Sequence, residues 1–190
     1  MSNNLTKDLI RRVFIEMLNE KPLKDITIKD IVTKCDINRN TFYYHYADIY
    51  DLLSEIFQNE LEIVVEEYNN TMSWEEAFLF AAKFSLENKK AIYHIYNSMQ
   101  REELENYVYN VAGYVMSRYI ERENEEINAL EKDVKLITRF YQSALTGLVL
   151  QWISTRMQEN PEEIINRIGE LFNGHIQESL ERSAKSDKFR

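Results

Sequence analysis

The sequence predicts an all-α fold, and three observations carry that prediction. Apolar side chains recur at i, i+3, i+4 and i+7 through every long segment, no stretch shows the two-residue alternation of a strand, and only four glycines and two prolines interrupt 190 residues. No internal repeat or low-complexity stretch breaks the pattern.

The first helix is expected over about Thr6 to Asn19, where Leu9, Ile10, Val13, Phe14, Met17 and Leu18 repeat at helical spacing. It ends at Glu20-Lys21-Pro22, because proline cannot continue the hydrogen-bond ladder. Thr27 has the side-chain oxygen to cap a second helix, whose Ile28, Ile31, Val32 and Cys35 share one face. Asp36 falls where the chain turns sharply, and aspartate is among the few residues other than glycine that tolerate a left-handed backbone. Ile37 supplies an apolar contact, and Asn38 is a natural N-cap for a short third helix from Arg39 to His45. In it Phe42, with Tyr46 four residues on, packs inward, leaving Arg39, Asn40, Thr41, Tyr43, Tyr44 and His45 for solvent or a partner. A helix-turn-helix divides its labour this way: the first helix buttresses, and the second carries side chains into the major groove of DNA.

The run Thr27, Ile31, Ile37, Asn38, Thr41, Phe42, Tyr43, His45, Tyr46, Leu52 and Leu53 resembles the N-terminal DNA-binding domain of TetR-family transcriptional regulators, with no insertion between Thr27 and Leu53. The resemblance is specific over about the first quarter of the chain; beyond it only helix number, order and length agree. It implies a three-helix helix-turn-helix DNA-binding domain over 1–47, a linking helix over 48–70 and a helical ligand-binding and dimerisation domain over 71–190. It also implies a dimer bound to a pseudo-palindromic operator in double-stranded DNA, and a repressor released by a small-molecule effector. Thr27, Tyr43, Tyr44 and His45 carry over as phosphate-positioning residues. Two positions depart from the family pattern. Ile49 stands where a lysine commonly touches a phosphate, leaving the positive end of the linking helix to face the backbone instead. Asn40 stands where glycine is frequent; with Arg39 and Thr41 it is assigned here to base edges, since asparagine reads adenine with two hydrogen bonds.

The linking helix is expected to start at Asp48 as N-cap and to run to about Asn69, with Ile49, Leu52, Leu53, Ile56, Phe57, Val64 and Tyr68 along one stripe. Ser73 with Glu76 forms a capping-box signature for a helix from Trp74 to about Leu86. Lys89 to Ser98 and Glu103 to Glu123 read as further helices, and a long one follows from about Leu130 to Gln158. Asn160, Pro161 and Glu163 open a last helix to about Arg182, with the tail from Ser183 frayed.

The segment Phe140 to Ile153 holds no charged residue, and a helix apolar on all sides must be covered on all sides. A homodimer is the expected cover, with Phe140, Ala144, Gly147, Leu148 and Trp152 of this helix and Ile168 and Phe172 of the last meeting their symmetry mates in a four-helix bundle. The mid-chain aromatics Phe84, Tyr93, Tyr96, Tyr107, Tyr114, Phe140 and Tyr141 are candidates to line a pocket for a small apolar or aromatic effector, with Asn97 and Gln142 as possible polar groups, although residue by residue ordinary packing explains each of them.

Charge bounds the function. The net charge of −9 is unusual for a DNA binder, but positions 1–50 hold eight basic against seven acidic residues, so the acidity lies in the remainder. A head of net +1 must grip phosphates with hydroxyl, amide and helix-end contacts as well as with charge. A single cysteine, Cys35, excludes an internal disulfide framework and fits a reducing cytoplasm. No signal-like leader is visible, and no apolar run reaches the roughly 18 residues a bilayer span needs. His45, His94 and His175 lie in three separate helices, and no HExxH, cysteine cluster or glycine-rich phosphate loop is present, so no enzyme, metal site or cofactor is expected. Two other readings stand beside the repressor: a DNA-binding regulator controlled by a protein partner, and a helical adaptor that docks on protein through its aromatic helix.

Overall fold

The structure, a computed structural model, describes residues 2–69, 73–172 and 174–187. Among them ten α-helices follow one another, joined by short turns and one 3-10 turn at Leu23–Asp25: α1 (Ser2–Glu20), α2 (Ile28–Lys34), α3 (Arg39–His45), α4 (Ile49–Asn69), α5 (Trp74–Glu87), α6 (Lys89–Tyr96), α7 (Arg101–Asn124), α8 (Glu131–Ser154), α9 (Pro161–Leu171) and α10 (His175–Asp187). The described residues include no strand.

Local chemistry explains most of the boundaries. The hydroxyl of Ser73 accepts from the Glu76 N–H while the Glu76 carboxylate accepts from the Ser73 N–H, which closes both ends of a capping box at the start of α5. Asn160 accepts from the Glu162 N–H, and Pro161 at the first position of α9 has no N–H to leave unpaired. Asn88, between α5 and α6, turns its own amide back to Phe84 O instead of capping α6. The missing cap comes from a distant helix: Asn19 Oδ1 of α1 accepts from the Ala91 N–H of α6 at 3.1 Å.

α7 is the central rod. Leu104, Val111, Ala112, Val115, Met116 and Ile120 are almost completely buried, and the helix packs against α4, α8, α5, α6 and α10. Gly113 leaves room for the side-chain amide of Gln142 from α8, which would have to move if a Cβ stood there. That amide donates to Tyr109 O at 2.9 Å, so Gln142 ties α8 to α7.

Three expectations are corrected at the C-terminal end. α8 stops at Ser154, where Arg156 and Met157 both enter the left-handed region, with φ of 62° and 51°. The last helix is two helices: Gly174, at φ +78°, takes a conformation that glycine adopts without steric cost and separates α9 from α10. The residues from Ser183 to Asp187 are helical rather than frayed, because the buried Ser183 hydroxyl donates to Asp133 at 2.6 Å and accepts from the Leu130 N–H at 3.1 Å. The first helix also starts earlier than its apolar stripe indicates, at Ser2, although Leu5 is exposed and contributes no packing there.

Candidate nucleic-acid interface and a half-open cavity

The α2–turn–α3 unit is held by short-range hydrogen bonds. Thr27 Oγ1 accepts from the Asp30 N–H, Asp30 Oδ2 accepts from the Thr27 N–H at 3.0 Å, and Lys21 Nζ reaches the same carboxylate at 3.2 Å. The Thr27 backbone bond first, and Lys21 next, hold the Asp30 carboxyl below its ordinary range. Asp36 sits in the left-handed region with φ 53°, and the Ile37 N–H then closes the turn on Val32 O at 3.0 Å. Asn38 Oδ1 accepts both the N–H and the hydroxyl of Thr41, at 2.8 and 3.1 Å, and fixes where α3 begins.

Beneath α3, Ile31 and Phe42 are fully buried, and Cys35 packs with them, its thiol pushed up by burial. Above it, Arg39 and Asn40 are exposed, as are Tyr43 and Tyr44 at 54% and 75%. Tyr43 leans edge-on against Phe42 and Tyr44 against His45, so both rings have fixed seats despite their exposure. Thr27 is exposed beside this face; Thr41 and His45 are half-buried, with the Thr41 hydroxyl engaged by Asn38.

Asp48 caps α4, as its place in the sequence predicts. The Asp48 carboxylate accepts from the N–H groups of Tyr50 and Asp51, both at 2.8 Å, and Asp51 accepts from the Ala47 N–H at 2.9 Å. Two carboxylates therefore lie at the positive end of α4 and oppose its dipole.

Two sets of contacts tie this unit to the rest of the molecule. Glu55 of α4 receives Lys7 at 2.8 Å and Arg11 at 3.2 Å from α1, and the hydroxyl of buried Tyr46 at 3.2 Å. Burial, reinforced by the Glu55 charge, pushes the Tyr46 phenol above its ordinary range. At the other end of α1, besides the Asn19 cap, His94 of α6 donates from Nδ1 to Leu18 O at 2.7 Å. Sequence reasoning missed Glu55, Asn19 and the reciprocal role of Asp30; only Asp30, three residues after Thr27, carries a local signal.

A cavity of about 260 Å³ lies among α5, α7, α8 and α9, walled by Phe78, Ala81, Val111, Leu145, Trp152 and Ile165, with Ser85, Gln151 and Glu159 as polar neighbours. Of the aromatic side chains singled out in the sequence, Tyr107 alone lines it. Tyr93 and Tyr96 are covered by the guanidinium groups of Arg156 and Arg101, at 5.0 and 4.1 Å from the ring centres. Tyr114 packs edge-on against Tyr68, Phe84 lines a small gap against α4 and α6, and Tyr141 faces a separate hollow near Ile168 and Phe172. Phe140 is 66% exposed. Neither suggested polar group lies in the cavity: Asn97 bonds Tyr93 O, and Gln142 is held by Tyr109.

The positions singled out for dimer contact also divide. Phe140, Ala144, Gly147 and Leu148 form an exposed stripe with Leu136 along α8, and Phe172 is exposed at the end of α9. Ile168 is half-buried. Trp152 turns inward, 6% exposed, with its indole N–H donating to Glu159 O at 2.9 Å. Among the described residues no helix is long and apolar enough to cross a membrane, and no cluster of His, Cys, Asp or Glu is arranged to hold a metal.

An all-helical chain that opens on a capped helix-turn-helix with an exposed polar and aromatic face belongs to the class of DNA-binding transcriptional regulators. Comparison with known proteins agrees. Residues 72–174 match the family model TetR_C_8, a transcriptional regulator C-terminal region. The HTH-type dhaKLM operon transcriptional activator DhaS of Lactococcus lactis subsp. lactis (strain IL1403) is 25% identical over 85 residues, 45% of this chain and 46% of that protein. The uncharacterized HTH-type transcriptional regulator YxbF of Bacillus subtilis (strain 168) is 33% identical over 82 residues, 43% of this chain and 22% of that protein. The chain thus matches less than half the length of either curated relative. The solved structure of the dihydroxyacetone kinase operon activator DhaS has the same fold, with a TM-score of 0.70 at 19% identity over 90% of this chain and 96% of that one. The protein belongs to the TetR family of transcriptional regulators, and it is a regulator and not an enzyme.

Proposed function

We propose that this regulator acts in the cytoplasm as a homodimer on a pseudo-palindromic operator, with residues 1–47 as the reading head, 48–70 as the link and 71–190 as the sensor and dimerisation part. Arg39 and Asn40, with Thr41, meet base edges, and Thr27, Tyr43, Tyr44 and His45 position the phosphates. The observation that carries this reading is the face of α3, where Arg39, Asn40, Tyr43 and Tyr44 stand exposed on a helix whose entry is fixed by Asn38 and whose back is fully buried. Selection of binding sites from random duplex DNA tests it: a two-fold-related pair of half-sites is expected, and no enrichment over random sequence overturns it.

The exposed stripe Leu136, Phe140, Ala144, Gly147 and Leu148 supports α8 as the self-complementary face, since open space at Gly147 lets a partner helix approach closely. Sedimentation at the monomer mass of 22.8 kDa at micromolar concentration overturns the dimer. Two heads must match half-sites about one DNA turn, roughly 34 Å, apart, so an effector that shifts α4 releases the operator. The apolar cavity is the seat we assign to that effector, and release of a repressor is the first reading. A second is favoured by the activator named among the relatives. A promoter fused to a reporter, measured with and without the protein, separates the two signs.

A further inference from the structure

A second hollow, of about 150 Å³, lies where the start of α5, the end of α7, α8, α9 and the start of α10 meet. Only Leu145 borders both it and the cavity assigned to the effector. Its wall differs in kind. Trp74, Tyr119 and Tyr141 line it together with Glu75 and Glu123, and it is as polar as it is apolar. The Glu75 carboxylate lies against Gly169 of α9, where a Cβ would stand 2.9 Å from its Oε1. Both glutamates are half-buried, and neither has an ion-pair or hydrogen-bond partner among the described residues. Burial pushes the Tyr119 phenol above its ordinary range, and the charges of Glu123 and Glu75 add to this against the opposing charge of Arg122. Carboxylates from two helices thus converge on one hydroxyl. No lysine, arginine or histidine among the described residues borders the hollow. Arg122 stands outside it, its guanidinium 5.7 Å from the Tyr119 ring centre, and pairs with neither carboxylate.

Unpaired carboxylates beside aromatic rings favour one kind of guest. A half-buried carboxylate without a countercharge has lost part of its hydration and recovers it from a cation or from hydrogen-bond donors. Aromatic rings attract the same charge, most strongly where water is excluded. An anion meets like charge here, and a neutral hydrocarbon leaves both carboxylates uncompensated. We propose that this hollow is a ligand site of its own and that it takes a compact organic cation, an ammonium group carried on a small hydrocarbon body. The ammonium lies between Glu75 and Glu123, and the hydrocarbon lies against Trp74 and Tyr141. Size follows from volume: a cavity of about 150 Å³ takes benzene, so the body has roughly six carbons. A bare metal ion is a poorer guest, since among the described residues these carboxylates belong to no cluster arranged to hold one.

The test uses the full chain at about 0.15 M salt, titrated calorimetrically with cyclohexylammonium, cyclohexanol and cyclohexanecarboxylate, which share one ring and differ in charge. The ammonium is expected to bind about tenfold more tightly than the alcohol, and the carboxylate least tightly. In Glu75→Gln the ammonium-to-alcohol affinity ratio is expected to fall about fivefold, while Glu126→Gln, which removes an exposed charge just beyond α7, leaves it unchanged. Because the Glu75 carboxylate is unpaired, the ligand-free melting temperature of Glu75→Gln is expected to match that of wild type. The indole N–H signals of Trp74 and Trp152 in an NMR spectrum report the location, since the two tryptophans line different hollows, and Trp74 is expected to move. Failure of the ammonium to bind, or an alcohol that binds as tightly, overturns the ligand class. An unchanged ratio in Glu75→Gln, or an equal fall in Glu126→Gln, overturns Glu75 as the seat of the charge. A change confined to Trp152 overturns this hollow as the site and leaves the reading of the other cavity standing.

Discussion

Glu55 is the most informative residue to perturb, because it joins three helices of the DNA-reading end through one carboxylate. Its partners are Lys7 and Arg11 on α1 and the Tyr46 hydroxyl just after α3, at 2.8, 3.2 and 3.2 Å. The Lys7, Arg11 and Glu55 side chains are 33%, 25% and 24% exposed, so each ion pair is partly screened and contributes about 1 kcal/mol at most. The Tyr46 hydroxyl is different. Tyr46 is 1% exposed, and an acceptor removed from a buried donor costs about 1–3 kcal/mol.

Glu55→Gln keeps an acceptor for Tyr46 and loses the charge, so it is expected to destabilise by about 1–2 kcal/mol. Glu55→Ala also orphans the hydroxyl and is expected to cost about 2–4 kcal/mol, or roughly 4–16 °C in melting temperature for a chain of this size. Urea denaturation of both variants, each with and without Tyr46→Phe, measures the coupling directly. In the Glu55→Ala background Tyr46→Phe is expected to be neutral or stabilising, because it removes an orphan donor; in wild type it is expected to destabilise. Equal losses for alanine and glutamine, or the same Tyr46→Phe effect in both backgrounds, refute the hydroxyl as the dominant partner.

Four further outcomes follow from the geometry. Arg39→Ala is expected to relax base preference at one position of each half-site by about 1–3 kcal/mol, whereas Tyr43→Phe weakens binding to all sequences alike; titrations across operator variants that show the same pattern for both refute the division. Phe140→Lys places a charge in the middle of the exposed α8 stripe and is expected to yield monomers by sedimentation while leaving the monomer's melting unchanged. With the Tyr46 phenol raised above its ordinary range, the unfolded chain releases that proton first as pH climbs past about 10; stability is full below pH 10 and falls above it, less steeply in Tyr46→Phe, which urea midpoints at pH 9 and 11 check. Asn19→Ala removes the cap of α6 and is expected to cost about 1–2 kcal/mol, with faster amide exchange at Ala91 as the local sign.

Features that depend on neighbours in sequence were legible, and those that depend on distant partners were not. Thr27, Asn38, Asp48, Ser73 and Asn160 each cap a helix within four residues of themselves, and Asp36 takes its left-handed turn, so residue type and spacing sufficed. Glu55 meets partners 44 and 48 residues earlier, and Asn19 caps a helix 72 residues later; no window of sequence contains both members. The lining of the cavity was not legible for a different reason. Aromatic side chains fill space, so a count of them marks where a core is, while a hollow forms where small residues such as Ala81 and Ala82 face bulky ones. The break at Gly174 was masked by Ile164, Ile165, Ile168, Ile176 and Leu180, whose spacing continues a helical stripe across a turn.

The contacts of α1 bear on how a signal reaches the DNA. α1 is tied to α4 through Glu55 and to α6 through Asn19 and His94. α6 in turn reaches the turn after α8, where Lys89 donates to Met157 O at 2.9 Å and Arg156 covers Tyr93. That turn holds two consecutive non-glycine residues in the left-handed region, a conformation that costs about 1–3 kcal/mol per residue and persists only where surrounding contacts enforce it. Trp152, one wall of the cavity, belongs to the same set, since Met157 N–H donates to its carbonyl and its indole donates to Glu159 O. Under the proposed effector control, a ligand that displaced Trp152 would perturb this turn, which is joined through α6 to α1, and one that displaced Tyr107 would bear on Phe57 of α4. Glu55 joins α1 and α4 at the reading end, so under the proposed effector control both routes would meet at that carboxylate. Loosening Glu55 should then weaken the response to an effector more than it weakens binding of the effector itself.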